Sequence, residues 1–334
     1  MRPPLRLPGS GRGRRVVALG GGHGLSASLQ ALRRVTDNLT AVVGVADDGG
    51  SSGRLRAEFG GLPPGDLRMA LAALCGDDAW GRTWEGAVQH RFGGSGELSG
   101  HSLGNLIITA LWEQTGDAVA GLDWVAALLE AHGRVLPCST VPLTIVADIL
   151  GHDPDHPNEV SVVRGQVEVA TTPGSVLHIS LDPGNPPACT EAVEAIGEAD
   201  AIVLGPGSWF TSVIPHLVIP DLAKAITESS AQRIVVLNLN PQAGETSDFA
   251  AHTYLDVLYN FLPDLCIDTV IADRQHVYDM EALQRSASDL GAMVYVTDVA
   301  RFGRAGAHDP QRLAVAFDTV LGDVAQGTRR GGEG

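Results

Sequence analysis

Val16-Val17-Ala18-Leu19-Gly20-Gly21-Gly22-His23-Gly24-Leu25 decides the fold. Four apolar residues of β type run into a cluster of glycines. Leu25, Leu29 and Leu32 then recur at helical spacing. Strand, glycine turn, helix is the opening of a βαβ unit. A second apolar run, Leu39 to Ala46, follows the helix and ends in Asp47-Asp48-Gly49-Gly50-Ser51-Ser52-Gly53-Arg54. Two buried parallel strands joined by a helix fit this order.

The rhythm continues along the chain. Asp66 to Leu129 has helical apolar stripes, broken by a Gly/Ser-rich stretch from Gly93 to Gly104, with a new helix starting near Leu106. Val141–Leu150 and Val160–Val169 have strand character. Further strands are expected at Ala201–Leu204, Ile234–Leu239, Thr269–Ala272 and Val294–Val296. Helices are expected from about Leu222 and from Pro310 to Leu321. The predicted architecture is α/β: one doubly wound, mostly parallel sheet with a helical insertion at about 66–135. It occupies residues 15–322, between a basic flexible tail (1–14) and a flexible Gly/Arg-rich tail (323–334).

Composition narrows the function. The 334 residues are 44% apolar and 19% charged, which is ample for a buried core. The net charge of −16 argues against nucleic acid as a partner, yet leaves room for a phosphorylated ligand in a local pocket. Cys75, Cys138, Cys189 and Cys266 show no metal-ligand spacing and suit a reducing, cytoplasmic setting. No apolar segment approaches the roughly eighteen residues of a membrane span, and no signal-peptide core follows the basic start.

The glycine-rich motifs all sit at strand ends, where a doubly wound sheet places its ligand. Gly21, Gly22, His23 and Gly24 open a helix, so backbone amides and the helix dipole can meet a phosphate. The dinucleotide fingerprint is incomplete, because its third glycine position falls on Leu25. This counts against NAD although Asp47 stands where a ribose-binding acid would. Asp47 and Asp48 can orient a metal or sugar hydroxyls, while Ser51, Ser52 and Arg54 can hold a phosphate. Asp66 and Arg68 lie in Pro63-Pro64-Gly65-Asp66-Leu67-Arg68, which also reads simply as a helix start. His101 and Asn105 open another helix, where a structural histidine is the competing reading. Gly207, Ser208, Thr211 and Ser212 make a second donor-rich loop, and Pro241–Thr246 a third polar turn. No P-loop or HExxH motif is present.

In this order the motifs resemble the signature set of the gluconeogenesis factor family (YvcK type) of the CofD-like superfamily. His308-Asp309-Pro310 matches as well. The resemblance spans about Val16 to Leu321. It implies a Rossmann-like cytoplasmic protein that binds a nucleotide-sugar, chiefly UDP-N-acetylglucosamine, and serves gluconeogenic growth, cell shape and wall synthesis. Carried over by position, the glycines at 21, 22 and 24 form the first phosphate loop, and Asp47 and Asp48 face the sugar or a metal. Ser51, Ser52, Arg54, Asp66, Arg68, His101 and Asn105 line the crevice, residues 207–212 form the second loop, and Tyr278 contacts the base or sugar. Three departures stand out. His23 replaces a common threonine, Met69 an asparagine, and Ala307 an arginine, for which Arg304 would have to substitute.

Two functions follow from the resemblance. The first is a ligand-sensing regulator, with an unidentified protein partner and a homodimer as the default oligomer. The second is a metal-dependent transferase of the CofD kind (phospholactate, LPPG:Fo), in which Asp48 and Asp66 would hold Mg²⁺ or Mn²⁺ against a nucleoside-diphosphate-linked donor.

Overall fold

The computed structural model describes residues 13–330 apart from Ala243, with side chains as far as Gly322. Of the expected tails, residues 1–12 and 331–334 lie outside the described residues. β1 (Val16–Gly20) pairs in parallel with β2 (Leu39–Val43), Val16 opposite Leu39 and Gly20 opposite Val43. On its other side β1 pairs in parallel with a strand far along the chain, Val16 opposite Ala201 and Leu19 opposite Leu204. Every residue of β1 and β2 is buried. That is why both read as unbroken apolar runs rather than alternating ones.

Between them runs α1 (Gly22–Leu32). After β2 come α2 (Gly50–Phe59), α3 (Gly65–Ala73), α4 (Ala79–Gln89), α5 (Leu103–Thr115) and α6 (Ala118–Leu129). Asp78 and Asp117 start α4 and α6 by accepting from backbone amides, Asp117 from Val119 and Ala120 at 2.9 and 3.0 Å. Such caps contribute about 1 kcal/mol each. β3 (Arg134–Pro137) then returns to the sheet beside β2.

β4 (Thr144–Leu150), β5 (Val160–Arg164) and β6 (Ser175–Asp182) form a separate antiparallel sheet in the order β5-β4-β6, with α7 (Gln166–Thr171) between β5 and β6. α8 (Thr190–Gly197) leads to β7 (Ala201–Leu204), a π-helical turn at Trp209–Val213, α9 (Ile214–Leu217) and α10 (Pro220–Glu228). The main sheet is completed by β8 (Gln232–Val236), α11 (Ala251–Phe261), β9 (Thr269–Asp273), α12 (Met280–Asp289) and β10 (Met293–Thr297), with α13 (Pro310–Arg330) last.

Seven parallel strands thus stand in the order β10-β9-β8-β7-β1-β2-β3. The winding direction reverses between β1 and β7. At such a point the loops at the carboxyl ends part and leave a crevice.

Four expectations change. Asp47–Arg54 is no continuous loop, because α2 begins at Gly50 and puts Ser51 and Ser52 in its buried first turn. The glycines and serines hid that helix. Gly53 is required there, since a Cβ at 53 would sit 2.0 Å from the Asp48 carbonyl oxygen. The expected strand Val160–Val169 breaks at Gly165 (φ +103) and continues as α7. β3 and β6 carried no sequence signal of their own, and β6 is largely exposed. The last helix runs past Leu321 to Arg330. Among the described residues, no helix is long and apolar enough to cross a membrane.

Candidate functional site

The loops leaving β1 and β7 touch at the switch point. A Cβ on Gly24 would lie 2.2 Å from the Pro206 carbonyl oxygen and 2.6 Å from Gly207 Cα. Only glycine permits that approach. Ser28 Oγ on α1 donates to the Gly205 carbonyl at 3.0 Å and ties the second loop to the helix that follows the first. Asn238, just past β8, accepts from Gly207 N–H at 2.9 Å and donates to Gly207 carbonyl at 2.7 Å. Three strand ends are thereby locked around one opening.

That opening is a cleft of about 940 Å³. Of the residues expected from sequence, Gly21, Gly22, His23, Gly24, Asp66, Gly207, Ser208, Thr211 and Ser212 line it. The first turn of α1 opens into it with the positive end of a helix dipole, its Gly22 amide taken by Asp66. The opposite wall includes Asn238, Asn240, Gln242, Glu245, Arg301, Arg304 and His308. Of these, the sequence points only to the polar turn 241–246, Arg304 and His308-Asp309-Pro310. Asn238 and Asn240 carry the signal of a polar residue shortly after a strand. The distances that make them one wall exist only in the fold.

The wall formed by 298–308 is fixed by a buried carboxylate. Asp273 Oδ2 accepts from the amides of Val299 and Ala300, both at 2.8 Å, and Oδ1 accepts from Gln275 N–H at 2.9 Å and pairs with His276 Nδ1 at 2.8 Å. Burial opposes its charge, but the His276 contact and the three amides outweigh burial and hold its pKa below the usual range. The Asn240 amide, oriented to satisfy both of its atoms, accepts from Gly306 N–H at 3.2 Å and donates to the Leu239 carbonyl at 3.0 Å. Arg301 and Arg304 are carried on this braced segment and supply the cleft with cations.

Three titratable groups in the cleft are shifted. Asp66 is pushed up to about 7, first by burial and then by the neighbouring Asp47, against the Gly22 amide that hydrogen-bonds it. Glu245 is pushed up to about 7 by burial, opposed by the Ser208 hydroxyl and the Trp209 and Phe210 amides. Burial lowers His308 to about 4, so its imidazole is neutral at physiological pH.

The remaining expected residues do not line this cleft. Asp47 accepts from Gly49 N–H at 2.9 Å and stands behind Asp66. Asp48 turns away: its two oxygens accept from the amides of Gln166 and Val167, at 3.0 and 3.1 Å, and start α7. Both oxygens of Asp48 are thus engaged by amides, and Asp48, unlike Asp66, does not line the cleft. Among the described residues, no group of three or more His, Cys, Asp or Glu side chains is placed to hold an ion. Ser51, His101 and Asn105 form a buried cluster, Ser51 Oγ lying 3.0 Å from His101 Nδ1 and accepting from Asn105 Nδ2 at 3.0 Å. Ser52 is buried beside them in α2. Arg68 is buried against Gln89, and Arg54 donates to the Ser99 carbonyl at 2.8 Å. Tyr278 is 90% exposed in the turn before α12, away from the cleft wall.

The sheet order and the two-loop cleft define a Rossmann-like α/β protein whose opening is suited to a phosphorylated ligand. The family described as 2-phospho-L-lactate transferase CofD matches residues 16–308, and the chain belongs to that family. Within it the chain is 52% identical over 308 residues to a protein of Mycobacterium tuberculosis named "Putative gluconeogenesis factor", covering 91% of this chain and 90% of that one. It is 35% identical over 283 residues to the "Gluconeogenesis factor" of Listeria innocua, covering 83% and 84%. A crystal structure of a UPF0052 family member from Bacillus halodurans superimposes with a TM-score of 0.81 at 31% identity, over 91% of this chain and 98% of that one.

Proposed function

We propose that this protein binds a nucleotide-sugar, UDP-N-acetylglucosamine, in the cleft between the β1 and β7 loops. It acts in the cytoplasm as a regulator of gluconeogenic growth, cell shape and wall synthesis. The observation that carries this reading is the contact of two donor-rich loops through Gly24, over which α1 opens and Arg301 and Arg304 stand. Two adjacent anion-binding loops suit a diphosphate. A cleft of about 940 Å³ also leaves room for a base and a sugar. The relatives named as gluconeogenesis factors support the gluconeogenic part of the proposal.

Thermal unfolding with UDP-N-acetylglucosamine, UDP, GDP or NAD, each with and without Mg²⁺, tests it. A ligand at about a hundred times its Kd should add roughly 2.7 kcal/mol. A stabilisation by UDP-N-acetylglucosamine that survives metal removal is the expected result. A shift seen only with GDP and metal overturns it and points to transferase chemistry instead.

A further inference from the structure

Ser208 meets the cleft just after Gly207. Its Oγ is within hydrogen-bonding reach of two groups at once, Glu245 Oε1 and the Thr211 hydroxyl. Ser208 and Thr211 both line the cleft. Glu245 is 4% exposed and comes from the 241–246 turn, which is closed by Thr246 Oγ1 accepting from Gln242 N–H at 2.9 Å.

A hydroxyl has one hydrogen to give, whereas an ionised carboxylate can only accept. Beside a charged Glu245, Ser208 must spend its hydrogen on Oε1 and turn lone pairs toward the cleft. Beside a neutral Glu245, the carboxyl supplies that hydrogen. Ser208 can then donate into the cleft, directly or through Thr211. An anionic ligand needs donors and is repelled by lone pairs.

We propose that Glu245 is a positioning residue whose protonation sets whether Ser208 and Thr211 offer hydrogens or lone pairs to an anionic group in the cleft, so that anion binding is coupled to uptake of one proton. Burial places its carboxyl at about 7, where this choice is made at physiological pH. Its titratable neighbour is Tyr254 on α11. The other titratable groups facing the cleft are His23 on α1, Asp66 on α3, and Arg301, Arg304 and His308 on the segment before α13. Asp66 also titrates near 7, so the test compares slopes with and without Glu245. The proposal rests on the nucleotide-sugar reading for its probe alone.

Calorimetric titration of UDP-N-acetylglucosamine between about pH 6 and about pH 8 is the test, with wild type, Glu245→Gln and Ser208→Ala. Neither the diphosphate diester nor the uracil imide changes charge over this range, so changes belong to the protein. Above about pH 7 the wild type should lose roughly tenfold more affinity per pH unit than Glu245→Gln, whose amide keeps donating to Ser208. Ser208→Ala should bind more weakly and lack the same extra slope. It serves in place of Glu245→Gln if that variant does not fold. Parallel slopes in wild type and variant overturn the inference while leaving the ligand reading intact. If the probe binds at no pH, the ligand reading fails and infrared spectroscopy decides the inference. A protonated-carboxyl band lost in Glu245→Gln and titrating near 7 supports it, and absence of that band at about pH 6 overturns it.

Discussion

The cleft between β1 and β7 and the cluster of Ser51, His101 and Asn105 are made of similar material. Both have glycines before a helix, hydroxyls in a first turn, and a histidine within reach. They differ in where the polar atoms go. In the cluster, Ser51 is met by His101 and Asn105, and all three are buried. In the cleft, the α1 first turn, Ser212, Arg301 and Arg304 border open space. The same residue types therefore serve packing in one place and present donors in the other. Burial makes that difference, and burial is not a property of the motif.

Three substitutions test this contrast. The largest effect belongs to Gly24→Ala, whose new methyl would meet backbone at 2.2 Å on the second loop. It should cost about 3 kcal/mol or more and abolish nucleotide-sugar binding, read by denaturant unfolding and calorimetry. A stable variant that still binds would mean that the two loops need not touch.

Asn105→Ala should cost about 1–2 kcal/mol by removing a buried donor from Ser51, yet leave affinity within about threefold. If affinity falls with stability unchanged, the cluster belongs to the ligand site and the contrast fails. Arg304→Ala should do the reverse on a smaller scale. Roughly a tenfold weaker Kd is expected, with stability changed by less than about 0.5 kcal/mol, because the side chain is exposed on a braced loop. Unaltered binding would leave Arg301 as the cation of that wall.

The sequence made the parallel core legible because buried strands need apolar residues on both faces. Val16–Leu19 and Ala201–Leu204 could hardly be anything else beside their glycine turns. Both loops that flank β1 and β7 were legible for the same local reason. Asp48 was not. A carboxylate after a strand looks the same whether it faces a ligand or accepts the amides of Gln166 and Val167, more than a hundred positions away. The 298–308 wall was hidden in the same way, since its shape comes from Asp273 and Asn240 holding it from other strands.

By itself, then, the sequence determined the alternation of strands and helices, the glycine turns and the family. Those depend on neighbours a few residues apart, through hydrophobic period and backbone freedom. Only the tertiary structure decided which polar groups share the cleft, which are spent on capping and packing, and which carboxyls lie buried enough to hold a proton near 7. Each of these depends on desolvation and on partners brought together by the crossover between β1 and β7, far apart along the chain.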